Sequence, residues 1–198
     1  MNAPRLSLLP AAAILPFVPD LKKHLSAVAA DITPENLTSV LDGTMTRLIT
    51  GAFQRAGAQE GAIWLHDTHR NSLVMAFNTG PNAAVLVGKF SQPLTSGIVS
   101  MVFASEQPFL ENEVFRNSRH DKTFDTQMHL RTESMVATPF YFLGACRGIV
   151  SGVQLQPAGA HERARGFGEH DLVALREAAT ILGKLLDERI LRIVVGLG

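Results

Sequence analysis

The sequence predicts one α+β domain, an antiparallel sheet with helices on one face and loops and short helices on the other. Three observations predict it. Two segments, 33–57 and 169–193, repeat apolar residues at steps of three and four, as amphipathic helices do. The apolar runs between them are short and joined by turn-rich stretches, which makes them strands of antiparallel hairpins. Residues 114–130 mix charges with aromatics, fit neither period, and are left to cover the second face, where loops leave room for a cavity.

Taken in order, Leu6 to Val18 is almost wholly apolar but carries Pro10 and Pro16, with Pro19 following. It is too short for a bilayer span, which needs roughly 20 apolar residues. The small-residue run Ala11-Ala12-Ala13 falls mid-stretch, which does not fit a secretory leader. This stretch is read as a non-helical arm packed on the domain or on a second copy, and residues 1–32 as the N-terminal arm. The domain spans 33–192 and 193–198 form a tail. Thr33-Pro34-Glu35 starts a helix, and Leu37, Leu41, Met45, Leu48 and Ala52 form its stripe up to Gly57. Ala62 to His66 and Ser72 to Asn78 make a hairpin around the turn Asp67 to Asn71, and Val85 to Phe90 a weaker third strand.

Ser96-Gly97 opens a short helix through Ala104, stopped by Pro108, and Phe109 to Glu111 form a brief strand. Ser134 to Phe142 and Arg147 to Gln156 are the strongest strands, with Gly144 in the turn between them. Pro139 removes a ladder donor and marks an edge or bulge. Pro157 to Gly168 is a polar, glycine-rich loop. From Glu169, Leu172, Leu175, Ala179, Leu182, Leu186, Ile190 and Ile193 form the last stripe. Val173, Ile181 and Leu185 widen it enough to cover a sheet and meet another helix.

Composition narrows the function. With 198 residues, 46% of them hydrophobic, the chain builds one real core. Lys+Arg and Asp+Glu are both 18, and no basic run exceeds Lys22-Lys23, which argues against a nucleic-acid surface. The single cysteine, Cys146, makes neither an internal disulfide nor a Cys-rich zinc site and fits a reducing, cytoplasmic setting.

Three stretches in this order resemble the GAF domain family across roughly residues 33 to 192. Leu94-Thr95-Ser96-Gly97-Ile98-Val99, running into Val102 and Pro108, looks like the family's Gly-Ile-Val helix and Pro-led strand. Ser134-Met135-Val136-Ala137-Thr138-Pro139-Phe140 looks like its central strand with an in-strand proline, and Gly148-Ile149-Val150-Ser151-Gly152-Val153 like its last strand. The resemblance implies a PAS-related, six-stranded antiparallel sheet with a ligand cavity on one face and dimerisation through the terminal helices. Members bind cyclic nucleotides, tetrapyrroles, haem or small metabolites, and some bind only themselves. Of the cyclic-nucleotide signature, Phe167 and Asp171 are present, Leu172 replaces its Glu, and Gln156 to Gly159 offers no Asn-Lys pair.

The resemblance places Phe90, Ile98, Phe115, Phe124, Met128, Ser134, Val136 and Thr138 on the cavity wall, where they could equally serve as plain core. Strand alternation puts Ser134, Val136 and Thr138 on one face. Two hydroxyls there are polar for a sealed core, because an unpartnered buried hydroxyl costs about 1–3 kcal/mol. Cys146 is read as a partly buried small residue, which argues against covalent bilin attachment, and thiol reductase chemistry lacks a second cysteine. His66 and His69 flank a turn and face solvent. His120 and His129 could each ligate haem, but such residues more often cap a helix or bond a carboxylate. Asp121 and Asp125, spaced by four, alternate with Arg116, Arg119 and Lys122 and read as a salt-bridged surface, with no catalytic constellation.

The expectation is a non-catalytic regulatory module. It binds an unidentified small molecule and signals through a homodimer to a separate output protein, with no nucleic-acid or membrane partner. The alternatives are a purely structural dimerisation module with a collapsed pocket and, last, an enzyme of unrecognised kind.

Overall fold

A computed structural model describes residues 11–157 and 164–197. The helix preceding the first expected one is α1, Val18–Asp31. It begins at Val18 and, with the turn before it, corrects the non-helical reading at that end of the Leu6 to Val18 stretch. A 3-10 turn over Leu15–Phe17 leads into it, with a proline in the first turn of each. There the missing N–H of Pro16 and Pro19 has no helical acceptor to lose. Leu25, Val28 and the buried Ala29 turn inward at helical spacing. Residues 6–10 of the apolar N-terminal stretch lie outside the described residues.

The stripe expected as one helix is two. α2 covers Leu37–Val40 and α3 covers Gly43–Ala56. Leu41 is extended at the break, and the Asp42 carboxylate accepts the Thr44 and Met45 N–H groups at 2.8 and 2.9 Å. An aspartate with two free donors ahead of it starts a new helix instead of continuing the old one.

β1, Glu60–Asp67, and β2, Ser72–Asn78, form the first hairpin. The third strand was misplaced: Ala83–Leu86 is a helical turn, α4, and β3 is Ser91–Pro93. An apolar run of four residues satisfies either period, and here it covers the sheet instead of joining it. α5 is Ile98–Ser105, β4 is Phe109–Glu111 and α6 is Thr123–Met128, with a 3-10 turn at Val114–Arg116. β5, Leu130–Phe142, β6, Ala145–Pro157, and α7, Glu169–Val194, complete the chain. The loop that follows β6 is described only from residue 164 onward.

The six strands are antiparallel throughout, in the order β3-β2-β1-β6-β5-β4. Pro139 sits where β4 no longer pairs, since β4 spans Met135 to Ala137 of β5, so its missing N–H breaks no ladder bond to β4. Alternation divides the sheet into two faces. Ile63, Leu65, Val136, Phe140 and Val150 face α3 and α7, and Ala62, Trp64, Met135, Ala137 and Ile149 face α5 and α6. α7 lies close on β5, and Gly183 makes that possible: a Cβ there would stand 2.0 Å from the Tyr141 carbonyl oxygen.

Candidate functional site

The second face is incompletely filled. Between the centre of the sheet and the layer of α5, α6 and the segment around β3 lies a cavity of 260 Å³. Its floor comes from alternate residues of neighbouring strands: Glu60, Ala62 and Trp64 of β1, Ser151 and Val153 of β6, and Thr132 and Met135 of β5. Ile98 and Val99 at the start of α5, Phe90, and His120, Asp121 and Thr123 to Asp125 cover it.

One end is aromatic. The Trp64 and Phe90 rings meet edge to face at 5.9 Å, and Phe90 meets Phe124 the same way at 5.6 Å. Edge-to-face pairs of this kind hold a fixed geometry. The indole N–H of Trp64 donates to the Ser151 hydroxyl at 3.0 Å, so the ring's orientation is set from both sides.

The other end is polar. Asp125 is buried on α6 and holds three groups: the Thr132 N–H at 2.8 Å, the Thr132 hydroxyl at 2.6 Å, and Nε2 of His120 at 3.0 Å. Burial by itself would push the Asp125 carboxyl up, but these bonds outweigh it and the pKa falls below the ordinary aspartate value. Asp121 accepts the Thr123 N–H at 2.9 Å, and hydrogen bonds from Thr123 lower its pKa too. Glu60 differs from both. It is 7% exposed, and its hydrogen-bond partner is Asn78 at 3.5 Å. Burial raises its pKa, with only the Asn78 bond opposing. Gly80 lies directly over this carboxyl: a Cβ there would meet Glu60 Cδ at 2.2 Å.

Neither a family model nor a curated protein matches the chain. Solved structures do. The GAF domain of an Acinetobacter phosphoenolpyruvate-protein phosphotransferase superposes with a TM-score of 0.56 at 13% identity, over 96% of this chain and 98% of that one. A GAF domain/HD domain protein from Geobacter sulfurreducens gives 0.58 at 13% identity, over 80% and 98%. The chain has the GAF fold. The free methionine-R-sulfoxide reductase of Neisseria meningitidis, solved with its substrate, shares the fold at a TM-score of 0.53 and 18% identity, over 98% and 99% of the two chains.

Within this GAF fold, three of the eight expected wall residues line the cavity: Phe90, Ile98 and Phe124. Ser134, Val136 and Thr138 share one face, but it is the opposite one, and Val136 packs in the core under α3 and α7. The register slips between Thr132 and Ser134, so Thr132 faces the cavity and the even-numbered residues after it face away. That one-residue bulge reverses the face of everything beyond it. Met128 packs beside the cavity without lining it. Phe115 lies under the Arg131 guanidinium, 4.9 Å from the ring centre, and also leaves the wall.

The acidic pair was misread as well. Arg116 pairs with Glu113 at 3.1 Å, leaving Asp125 to turn inward to His120 and Thr132. His66 is half-buried, its ring 5.1 Å from Phe103, instead of facing solvent. His129 is exposed and ends α6 with a φ of 53°. Phe167 and Asp171, the remnant of the cyclic-nucleotide signature, sit on the helix side. Phe167 fills the core, and Asp171 accepts the Gly168 N–H at 2.9 Å ahead of α7. The other half of that signature lies partly outside the described residues. Cys146 opens β6 away from the cavity, and burial raises its thiol pKa. Among the described residues no group of three or more His, Cys, Asp or Glu side chains could hold a metal ion, and no helix is long and apolar enough to cross a membrane.

Sequence reading missed Glu60, Trp64 and Thr132, and it named His120 and Asp125 without pairing them, although a carboxylate partner was the role expected for such a histidine. The signal for two of them was present. Glu60 and Trp64 are in phase with Ala62 along a strand, so a carboxylate and an indole share its face.

Proposed function

We propose that this chain is a non-catalytic regulatory module that binds a small metabolite in the cavity between its sheet and the α5–α6 layer. The carrying observation is the cavity itself. A sheet face with an aromatic corner, a hydrogen-bonded polar end and 260 Å³ of unfilled space has the composition of a ligand site. Its volume falls just below the roughly 300–1,000 Å³ usual for drug-sized sites, which suits a small metabolite. The unfilled space favours this reading over a collapsed-pocket scaffold, because packed interiors leave few voids larger than a water molecule.

Several features support binding over catalysis. Sulfoxide reduction by thiols needs a nucleophile and a resolving partner. This chain has one cysteine, set off the cavity wall. The Ser151 hydroxyl is engaged by Trp64, and the imidazole of His120 by Asp125. Phosphate-bearing ligands such as cyclic nucleotides call for cations, and the described lining residues include neither Lys nor Arg. For haem, the usual ligating atom of His120, Nε2, is held by Asp125 at 3.0 Å.

The output runs through the terminal helices. α7 packs on β5 and on α1 and α3, so a ligand that shifts the sheet shifts α7. Val173, Ile181 and Leu191 on one side of α7 remain 39–47% exposed among Glu177, Lys184 and Glu188, and this mixed face is where a second copy of the chain would pack. The dimer would pass the change to a separate partner protein.

A thermal-shift screen of small metabolites, with native mass spectrometry of the purified chain, tests this reading. A ligand at about a hundredfold its Kd adds about 2.7 kcal/mol. For a chain of this size that raises Tm by about 5–10 °C. A broad screen with no shift, and mass spectra free of retained ligand, overturns the sensor reading. A monomer by light scattering at high concentration overturns the dimer.

A further inference from the structure

We propose that the ligand of this cavity is a small organic cation, an amine with an aromatic or apolar body, its ammonium seated at Glu60 and its body against Trp64, Phe90 and Phe124. The inference rests on the cavity being the ligand site and names the chemistry that site accepts.

Charge around the cavity is one-sided. Three carboxylates line it, Glu60, Asp121 and Asp125, together with a single histidine and, among the described residues, no Lys or Arg. The two aspartates are committed: Asp125 to His120 and Thr132, Asp121 to Thr123. Glu60 is not. It is 7% exposed and lines the cavity, and among the described residues no cation pairs with it and its Oε1 accepts no hydrogen bond. An uncompensated carboxylate at this depth is costly, and a buried charge is normally paired. Its raised pKa reflects the same imbalance. A bound ammonium supplies the missing charge and the missing donors together.

The scaffold holds that carboxyl in place. Asn78 donates to its Oε2, and the backbone of Gly80 covers it where any side chain would collide. The Asn78 side chain is itself fixed, because its oxygen accepts the Gly80 N–H at 2.6 Å. An acid immobilised on a cavity wall without a partner chain atom to neutralise it is a counter-charge waiting on the ligand side.

Geometry sets the size of the cation. Glu60 and Trp64 lie four residues apart on one strand face, a separation of about 13 Å between their backbone positions. Both side chains stand out from that face, so a ring beside the indole and a short alkyl chain leading towards the carboxyl bridge most of that separation. The aromatic corner suits such a ring, because Phe90 meets Trp64 and Phe124 edge to face, with ring planes at 65° and 78°.

Trp64 is the one tryptophan of the chain and stands on the wall, so its fluorescence reports occupancy directly. The test titrates the full-length protein with three matched probes: 3-phenylpropylamine, 3-phenylpropan-1-ol and 4-phenylbutyrate. The amine is expected to bind saturably, at least tenfold tighter than the alcohol, with the carboxylate weakest. Glu60→Gln, checked for folding by its thermal transition, is expected to lose that preference, so that amine and alcohol bind within threefold of each other. If the alcohol or carboxylate matches the amine on the parent protein, the cation assignment is overturned while the cavity stands as a binding site. The assignment also fails if Glu60→Gln keeps the preference in full. Silence of Trp64 towards all three probes, when the metabolite screen finds a ligand of other charge, overturns the assignment alone; silence in both overturns the sensor reading with it.

Discussion

Replacing Gly183 with alanine sets two opposing effects against each other. Mid-helix, alanine is favoured over glycine by about 0.5–1 kcal/mol, because glycine loses more backbone freedom on folding. Against that, the new Cβ would stand 2.0 Å from the carbonyl oxygen of Tyr141 on β5. The atom it meets is backbone within a paired strand, so no side chain can swing aside, and α7 must lift from the sheet by more than an ångström. Overpacking of this kind costs about 1–3 kcal/mol or more. The lift also loosens Leu182 and Leu186, both fully buried beside it. Collision wins, and a net loss of about 1–3 kcal/mol lowers Tm by about 2–12 °C for a chain of this length. Thermal melts and urea titrations followed by circular dichroism measure it. Gly51→Ala on α3 is the internal control. Its Cβ would meet only the mobile end of Arg55 at 3.2 Å, so that variant is neutral or more stable. A Gly183→Ala protein as stable as its parent would refute the close approach of α7 to β5, and with it the route by which the sheet moves the helix.

Asp125→Asn keeps the size of the side chain but removes the charge that the Thr132 hydroxyl and N–H and His120 share, and the expected loss is about 1–3 kcal/mol at neutral pH in urea unfolding. Because the folded pKa of Asp125 lies below its unfolded value, its contribution is complete above the ordinary carboxylate range. It disappears as pH falls through the folded pKa, so the gap between parent and variant should narrow in acid. Glu60→Gln carries the opposite sign. Its folded pKa is raised, so the native state is penalised once pH exceeds the carboxylate range, and the variant should equal or exceed the parent in Tm at pH 7 while losing that margin in acid. Ala62→Leu fills the cavity floor between Glu60 and Trp64. It should leave the melting transition within a few degrees and abolish Trp64 responses to any ligand, read by fluorescence titration.

Much of the architecture was legible from periodicity. The stripe from Leu172 to Ile190, the two hairpins and the helix opened by Gly97 are local patterns repeated over enough residues to identify them. Short or ambiguous segments were not. Val85 to Phe90 fits strand or helix equally. Pro16 and Pro19 look like breakers until the helix they begin is seen. The break at Asp42 was also legible in hindsight, since an aspartate two residues ahead of Thr44 is a cap.

The sequence by itself determined which residues pair into hairpins, which stripes are apolar, that one thiol exists and that charges balance. All of these follow from composition and from contacts between near neighbours. Only tertiary structure decided which face each strand shows to the cavity. A single bulge before Ser134 reverses β5, sending Ser134, Val136 and Thr138 under the helices and leaving Thr132 at the site. The same holds for Asp125, whose inward turn depends on a strand partner seven residues away, and for Glu60, which no cation approaches among the described residues. Periodicity fixes alternation within a strand, but the choice between two faces is set by register and by packing across the sheet, and those are properties of the whole fold.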